Sequence, residues 1–428
     1  MSRRLHIRGG RVVDPANNID GHYDVFVADG KIFAVSEQAP AGFAADAVID
    51  ASEHVVCPGL VDISARLREP GAEHKGTIAS ETTAAAAAGI TSLCCPPDTA
   101  PVLDTPAVAK LIAERAQAAA KASVYTLGAM TQDLAGERLS EMGSLKAAGC
   151  VGVSNAYASF KNSLILRHAL EYAASHDFVV HLHAEDPDLR NNGCAHEGMV
   201  SSRLGLAANP AAAETVAVAQ ILALIEQIEV RVHFCRLSTA RAVQMIARAQ
   251  YSGLPVSADV SAHQLHLTEM DIGFFNSQCH VSPPLRSLRD REGLRAGLGK
   301  GSIGIICSDH QPHEADAKLS PFGMTEAGIS ALETLLPLSL RLVNEGVTDL
   351  TSVIAALTHK PAELLGIGAG TLSVGANADI CVFDPAREWT LDPQTLRSRG
   401  HNTPMLYWQF QGRVTHTFHR GVEIFRLD

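Results

Sequence analysis

The chain has 428 residues, 46% of them hydrophobic, which is enough to bury the core of one large α/β domain and a smaller one. Its formal net charge is −11, with no Lys/Arg block and no interleaving of basic and aromatic residues, so nucleic acid is excluded as an expected partner. Nine cysteines stand singly or as the adjacent Cys94 and Cys95, without a C-x-x-C and in an odd total, which excludes a disulfide framework or a zinc finger and fits a reducing compartment.

The opening stretch "MSRRLHIRGGRVVDP" has no apolar signal region, and no window approaches eighteen unbroken apolar residues, so a cytoplasmic protein without a membrane partner is expected. Short alternating runs follow, "RLHIRGGRVVDP" and "DVFVADGKIFAVS", the second with Asp29-Gly30 as a two-residue hairpin signal. The chain returns to this idiom at its other end in "ADICVFDP" and "YWQFQGRVTHTFHRGVEIF". The two ends are therefore expected to pair into a small β-sandwich domain, residues 1–57 with 369–428.

From 58 to 368 the pattern changes to a short apolar run followed by a helical stretch, repeated eight times: "GLVDISAR", "ITSLCCP", "SVYTLGA", "CVGVSN", "FVVHLHAED", "VRVHFCRLS", "PVSADVS" and "IGIICSDH". "TPAVAKLIAERAQAAAKA", "SLILRHALEYAASH" and "AAAETVAVAQILALIEQI" are helix candidates between them. Eight strand-helix units predict an α/β fold, a (β/α)8 TIM-type barrel, rather than an open doubly wound sheet, since no G-x-G-x-x-G follows the first strand.

Working residues in such a barrel sit at the C-terminal strand ends, here Ser64, Arg66, Asn155, His183, Arg236 and Asp309. Ser64 and Arg66 are two apart on a strand and share a face. With no G-x-S-x-G elbow and no P-loop, serine-hydrolase and nucleotide-hydrolase readings have no support. Cys94 and Cys95 end the second strand and are expected to be buried rather than reactive.

Several stretches carry a more specific signal. "GLVDISARLREPG" resembles the G-x-x-D-x-H-x-H-x-R-E-P-G of the dihydroorotase family within the amidohydrolase superfamily, and "NGCAHEGMVSSRLGL", "SPPLRSLRDREGL", "SDHQPH" and "RGHNTPMLYWQFQGRV" resemble later stretches of that family. The resemblance implies a barrel that holds one or two zinc ions in active members. It also implies that His183 and Asp309 stand at retained ligand places, while Ser64, Arg66, Asn155 and Arg236 stand where active members carry the other four ligands. Arg68 and His313 match substrate contacts, and Asp98 and Ser282 stand where the family has asparagine. An aspartate at 98 repels a carboxylate substrate.

Two ligands fall short of the three that a catalytic zinc takes from its protein. An arginine stays protonated and has no lone pair for a metal. At about 4 Å and an effective dielectric near 20, a unit-charge pair is worth about 4 kcal/mol, so a guanidinium repels a dication by roughly twice that. Arg66 is expected to pair with Asp309, Asp98 or Glu69, because a buried arginine needs a carboxylate. His181 forms an H-x-H with His183, but is expected one layer deeper, packed and hydrogen-bonded; His263, His266 and His310 are ordinary barrel-mouth residues.

No metal or other cofactor and no catalytic residue is therefore expected, Asp309 being a remnant. The motif losses resemble a non-catalytic branch of the family, whose members assemble with aspartate carbamoyltransferase as structural subunits; this implies that transferase's catalytic chains as the partner in a large hetero-oligomer of pyrimidine biosynthesis. Two alternatives stay open: an active cyclic amidohydrolase, dihydroorotase-like or hydantoinase-like, with one zinc on His181, His183 and Asp309, and a non-catalytic small-molecule-binding module around Arg68 and His313.

Overall fold

Asp29 and Gly30 both take left-handed backbone angles, φ 53° and 72°, as the two-residue turn between right-twisted strands requires. They join strands Ile19–Ala28 and Lys31–Ser36 in an antiparallel pair within a computed structural model that describes residues 4–427. Leu5–Asp14 lies beside Ile19–Ala28, and Val55–Pro58 links it to the C-terminal strands Ile380–Thr390, Gln409–His419 and Val422–Arg426. Hydrogen bonds thus run continuously through eight strands drawn from both chain ends. A bulge between Ile7 and Gly10 kinks the first strand, which pairs with Ala47–Asp50 before the kink and with Val55–Pro58 after it. Ile7, Val12, Val25, Val56, Ile380 and Val382 form this sheet's own core.

Eight parallel strands follow in strict neighbour order: β1 (Leu60–Asp62), β2 (Ile90–Cys95), β3 (Ser123–Ala129), β4 (Gly152–Ser154), β5 (Val179–Leu182), β6 (Arg231–Phe234), β7 (Val256–Ser261) and β8 (Ile305–Cys307). Each of the eight apolar runs read from the sequence supplies one of them. β2 is buried along its whole length, as a strand covered on both faces must be, and this is why it reads as an unbroken apolar run. Gly59 sits between the end sheet and β1 because a Cβ there would stand 2.2 Å from the Thr91 hydroxyl.

Helices Pro106–Ala119, Ser163–Ser175 and Ala211–Ile225 occupy the expected segments. The second starts where the Asn162 side chain accepts the Ile165 amide at 3.0 Å, and it buries Leu166, Ala169, Leu170 and Ala173, one stripe at helical spacing. Among the described residues no helix is long and apolar enough to cross a membrane.

The ring closes beyond the strands themselves. Arg66 N–H donates to the His310 carbonyl at 2.9 Å and His310 N–H to that of Ser64 at 3.1 Å, so residues of the mouth complete the barrel. Long connections after β5, β7 and β8, residues 183–210, 262–287 and 308–334, form a rim on that C-terminal face.

Candidate functional site at the barrel mouth

Asp309 follows β8 with φ 48°, is 1% exposed, and is the hub of the mouth. Its Oδ1 accepts Arg66 Nη1 at 3.3 Å and Ser64 Oγ at 3.4 Å, and Arg236 Nε lies 3.7 Å away. Arg66 also donates from Nε to Asp98 Oδ2 at 2.7 Å, and Arg236 from Nη1 to Ser64 Oγ at 3.2 Å. The ring of Tyr157 lies against both cations, with each guanidinium carbon 4.7 Å from its centroid. Tyr157 Oη donates to the Ser282 carbonyl at 2.9 Å and accepts Gln311 Nε2 at 3.0 Å.

Two guanidiniums and two carboxylates cancel in formal charge; Arg66, Arg236 and Asp309 are buried, and Asp98 supplies the second negative charge from the more exposed lip, which lowers the cost of burying two cations beside one aspartate. Cation–π contacts are worth about 0.5–2 kcal/mol each, more when desolvated as here. Arg68, Arg236 and Asp309 all have positive φ, 64°, 54° and 48°, a backbone strain of order 1–3 kcal/mol apiece that the surrounding bonds must hold. Burial raises the Asp98 carboxyl, but Arg66 more than offsets this and holds it below the usual range. Burial pushes the Tyr157 phenol up to about 12 despite the nearby arginines, so it stays neutral.

The other sequence candidates spread around this plug. His183 meets Tyr157 edge-on with ring centroids 4.9 Å apart, and its Nε2 lies 3.8 Å from Glu185 Oε2, beyond hydrogen-bond length. Asn155 is turned into its own loop: its Oδ1 accepts Thr131 Oγ1 at 2.7 Å and its Nδ2 donates to the Ala158 carbonyl at 2.8 Å. Arg68 donates from Nε to the Pro312 carbonyl at 2.9 Å, and its Nη2 lies 3.1 Å from His313 Nε2. Burial, helped by Arg68, pushes His313 down to about 3.

Ser282 takes part through its carbonyl alone. Glu69, one of three partners expected for Arg66, instead faces Arg115 at 3.5 Å and accepts the Ile78 amide. His310 pairs with Glu81 at 2.9 Å, His266 Nε2 lies 2.8 Å from the Leu338 carbonyl, and His263 is buried. Cys94 and Cys95 are buried with thiols pushed up, Cys95 to about 12.

His181 is packed deeper, its ring 5.3 Å from that of His233, and burial pushes it down to about 3. The expectation that it would be hydrogen-bonded needs correcting, since neither ring nitrogen has a partner among the described residues. The reason is local: both nitrogens of the neighbouring His233 are taken, by Ser257 and Asp259 at 2.8 Å each, which leaves neither for His181.

Tyr157 is the residue that sequence reading passed over. It stands in "SNAY", two places beyond Asn155, and an aromatic ring just past a barrel strand end is the one signal that the sequence offers.

A zinc centre needs lone pairs that converge on a vacant point. Here Arg66 and Arg236 offer none, Asp309 is engaged by both, the Asn155 amide is spent on its loop, and His181 lies below. The residues of the mouth do not fit a zinc ion; deeper in the barrel His181, His233 and Cys235 bring donor atoms within 4.8 Å of one another, but both His233 nitrogens are bonded, to Ser257 and Asp259. What remains open is small: a cavity of about 70 Å³ lined by Arg66, Arg68, Pro70, Cys95 and Asp98, and another of about 250 Å³ between Tyr157, His183, Glu185 and the chain around Asn162.

A closed eight-stranded barrel with these residues at its strand ends and a sheet made from both chain ends defines an amidohydrolase-type protein. Solved structures agree on the fold: L-hydantoinase (dihydropyrimidinase) from Arthrobacter aurescens superposes with a TM-score of 0.89 at 24% identity, covering 99% of this chain and 96% of its own. A family model described as dihydro-orotase-like matches residues 53–242. A dihydroorotase-like protein of Pseudomonas aeruginosa is 49% identical over 417 residues, 97% of this chain and 98% of its own, and a dihydroorotase of Geobacter sp. is 41% identical over 424 residues, 99% of each. The chain belongs to the dihydroorotase-like family.

Proposed function

We propose that this member of the cyclic amidohydrolase family is not a hydrolase, and that it serves as a structural subunit supporting assembly or activity of aspartate carbamoyltransferase in cytoplasmic pyrimidine biosynthesis. The observation that carries the reading is the clamp of Arg66 and Arg236 on Asp309 and Tyr157, which puts fixed positive charge where a metal would otherwise polarise water. Without a metal-bound hydroxide, nothing in the mouth generates a nucleophile at neutral pH. Tyr157 is neutral, and the buried thiols are protonated.

The similarity to a protein named dihydroorotase-like, at 49% identity over nearly all of both chains, supports the same reading. The transferase partner rests on the resemblance of the lost ligand places Ser64, Arg66, Asn155 and Arg236 to the non-catalytic branch.

The test has two arms. Protein purified from its own host without chelator is expected to carry no stoichiometric zinc and to turn over neither dihydroorotate nor carbamoyl-aspartate, and Ser64→His with Arg66→His is expected to leave it inactive. One zinc per chain with turnover would overturn the reading in favour of a mononuclear site on His181, His183 and Asp309. In the second arm the chain and the transferase are expected to elute together at micromolar concentration, and the transferase alone to be poorly assembled or weakly active. Separate elution with a fully active transferase would leave the small-molecule-binding alternative.

A further inference from the structure

Three rim loops interlock at the C-terminal face of the barrel. Ser277 Oγ donates to the Lys318 carbonyl at 2.8 Å, and Lys318 Nζ to the carbonyls of His280 at 3.3 Å and Glu326 at 2.7 Å, which ties the connection after β7 to the one after β8. The connection after β5 packs against both: a Cβ on Gly198 would stand 3.1 Å from the Glu269 carboxylate, and one on Gly323 would stand 3.2 Å from Cys194 Sγ.

This assembled surface carries Met199, Met270, Phe274, Phe275, Leu319 and Met324 outward. Phe274 is 98% exposed, Met199 85%, Leu319 78% and Met324 77%. Single exposed apolar side chains are ordinary on a protein surface, whereas six large ones on three interlocked loops are not. An aromatic side chain alone presents about 150–250 Å² and a standard interface buries about 800 Å² per partner, so these residues suffice for the apolar centre of one.

The same loops are acidic at their edges. Glu197, Asp271 and Asp316 are exposed, against Arg203 as the exposed cation; Glu326 is paired with Lys75 at 2.5 Å, and Lys318 is buried. Two copies meeting through this face would oppose like charges, and an anionic lipid surface would be repelled. The complement is a protein surface that is apolar at its centre and basic around it.

We infer that the rim of loops 194–206, 266–280 and 315–326 is the docking face for such a partner. The identity of the partner as the transferase rests on the function proposed above. The probe is therefore the transferase from the same host, titrated onto immobilised full-length chain and followed in parallel by size-exclusion chromatography. Phe274→Glu combined with Leu319→Glu is expected to weaken binding at least tenfold, and Asp271→Lys with Asp316→Lys a few-fold, with loss of its salt dependence. Tyr251→Glu is the control, since Tyr251 is 93% exposed but ends the helix Ala240–Tyr251 at the opposite side of the barrel; its binding is expected to match wild type.

Unchanged thermal midpoints certify that the variants fold. Wild type and Phe274→Glu/Leu319→Glu binding alike would overturn the docking face and leave the proposed function standing. Wild type failing to bind would overturn both. A wild-type dimer that the double variant turns into monomer would replace the inference with self-association.

Discussion

The mouth and the rim lie at the same end of the barrel and are built on opposite terms. Within the mouth, Arg66, Arg236 and Asp309 are each no more than 5% exposed and pack on a half-buried tyrosine, with the more exposed Asp98 at the lip. On the rim a few residues away in space, apolar side chains as large as Phe274 stand in water. Ordinary folding does the reverse, placing charge outside and phenylalanine inside. The contrast teaches where each kind of change should act: substitutions in the mouth are expected to act on folding, and substitutions of the exposed rim side chains on the proposed association.

Acid should have the largest effect, and it reaches buried groups under both regions. Burial pushes His181 and His313 down to about 3 and His263, His266 and His280 to about 4, below the ordinary value near 6.5. The unfolded chain therefore takes up protons first, and the stability these groups contribute, present above about 6.5, is lost as pH falls toward 4. Asp62 and Glu333, raised by burial to about 7, act in the opposite sense, since acidification relieves them. At about 1.4 kcal/mol per pH unit for each group, five histidines outweigh two carboxylates, and a net loss on the order of several kcal/mol is expected between pH 7 and 4.5. Thermal midpoints across that range check it; a midpoint that rises on acidification would contradict the sign.

Next in size is the removal of one cation. Arg66→Ala leaves the buried Asp309 with Arg236 as its remaining cation and frees Asp98, whose side chain is a quarter exposed, so the loss is expected to lie at the low end of a broken buried pair, about 3 kcal/mol. Urea unfolding measures it, and a loss under about 1 kcal/mol would mean that the mouth is wetter than its geometry. Tyr157→Phe is milder: it keeps the ring between the guanidiniums and removes the bonds to the Ser282 carbonyl and from Gln311 Nε2, for about 1–2 kcal/mol. On the rim, Phe274→Glu should shift stability by no more than about 0.5 kcal/mol, because that side chain is already in water. A large loss there would erase the distinction between the two regions.

Much of this architecture was legible in one dimension. Eight apolar runs separated by helical stretches marked the strands of the barrel in order, because a strand covered on both faces is mainly apolar. The hairpin at Asp29-Gly30 was equally direct, since few residue pairs tolerate two left-handed positions. Ser64, Arg66, Asn155, His183, Arg236 and Asp309 were placed at strand ends by counting alone. What counting did not reach was Tyr157, whose importance comes from facing two arginines 91 and 79 residues distant in sequence. Nor did it reach the unpartnered His181, which depends on what the adjacent strand's His233 is already bonded to.

The sequence by itself determined the fold and which side chains stand at the strand ends, because strand periodicity and side-chain chemistry are properties of single residues and their near neighbours. Tertiary structure alone decided that Arg66 pairs with Asp98 and Asp309 rather than Glu69, that Tyr157 fills the space between two cations, and that the apolar residues of three separate loops share one acidic-edged face. Those are distances between side chains far apart along the chain, and they are set only when the barrel closes and brings its strand ends within reach of one another.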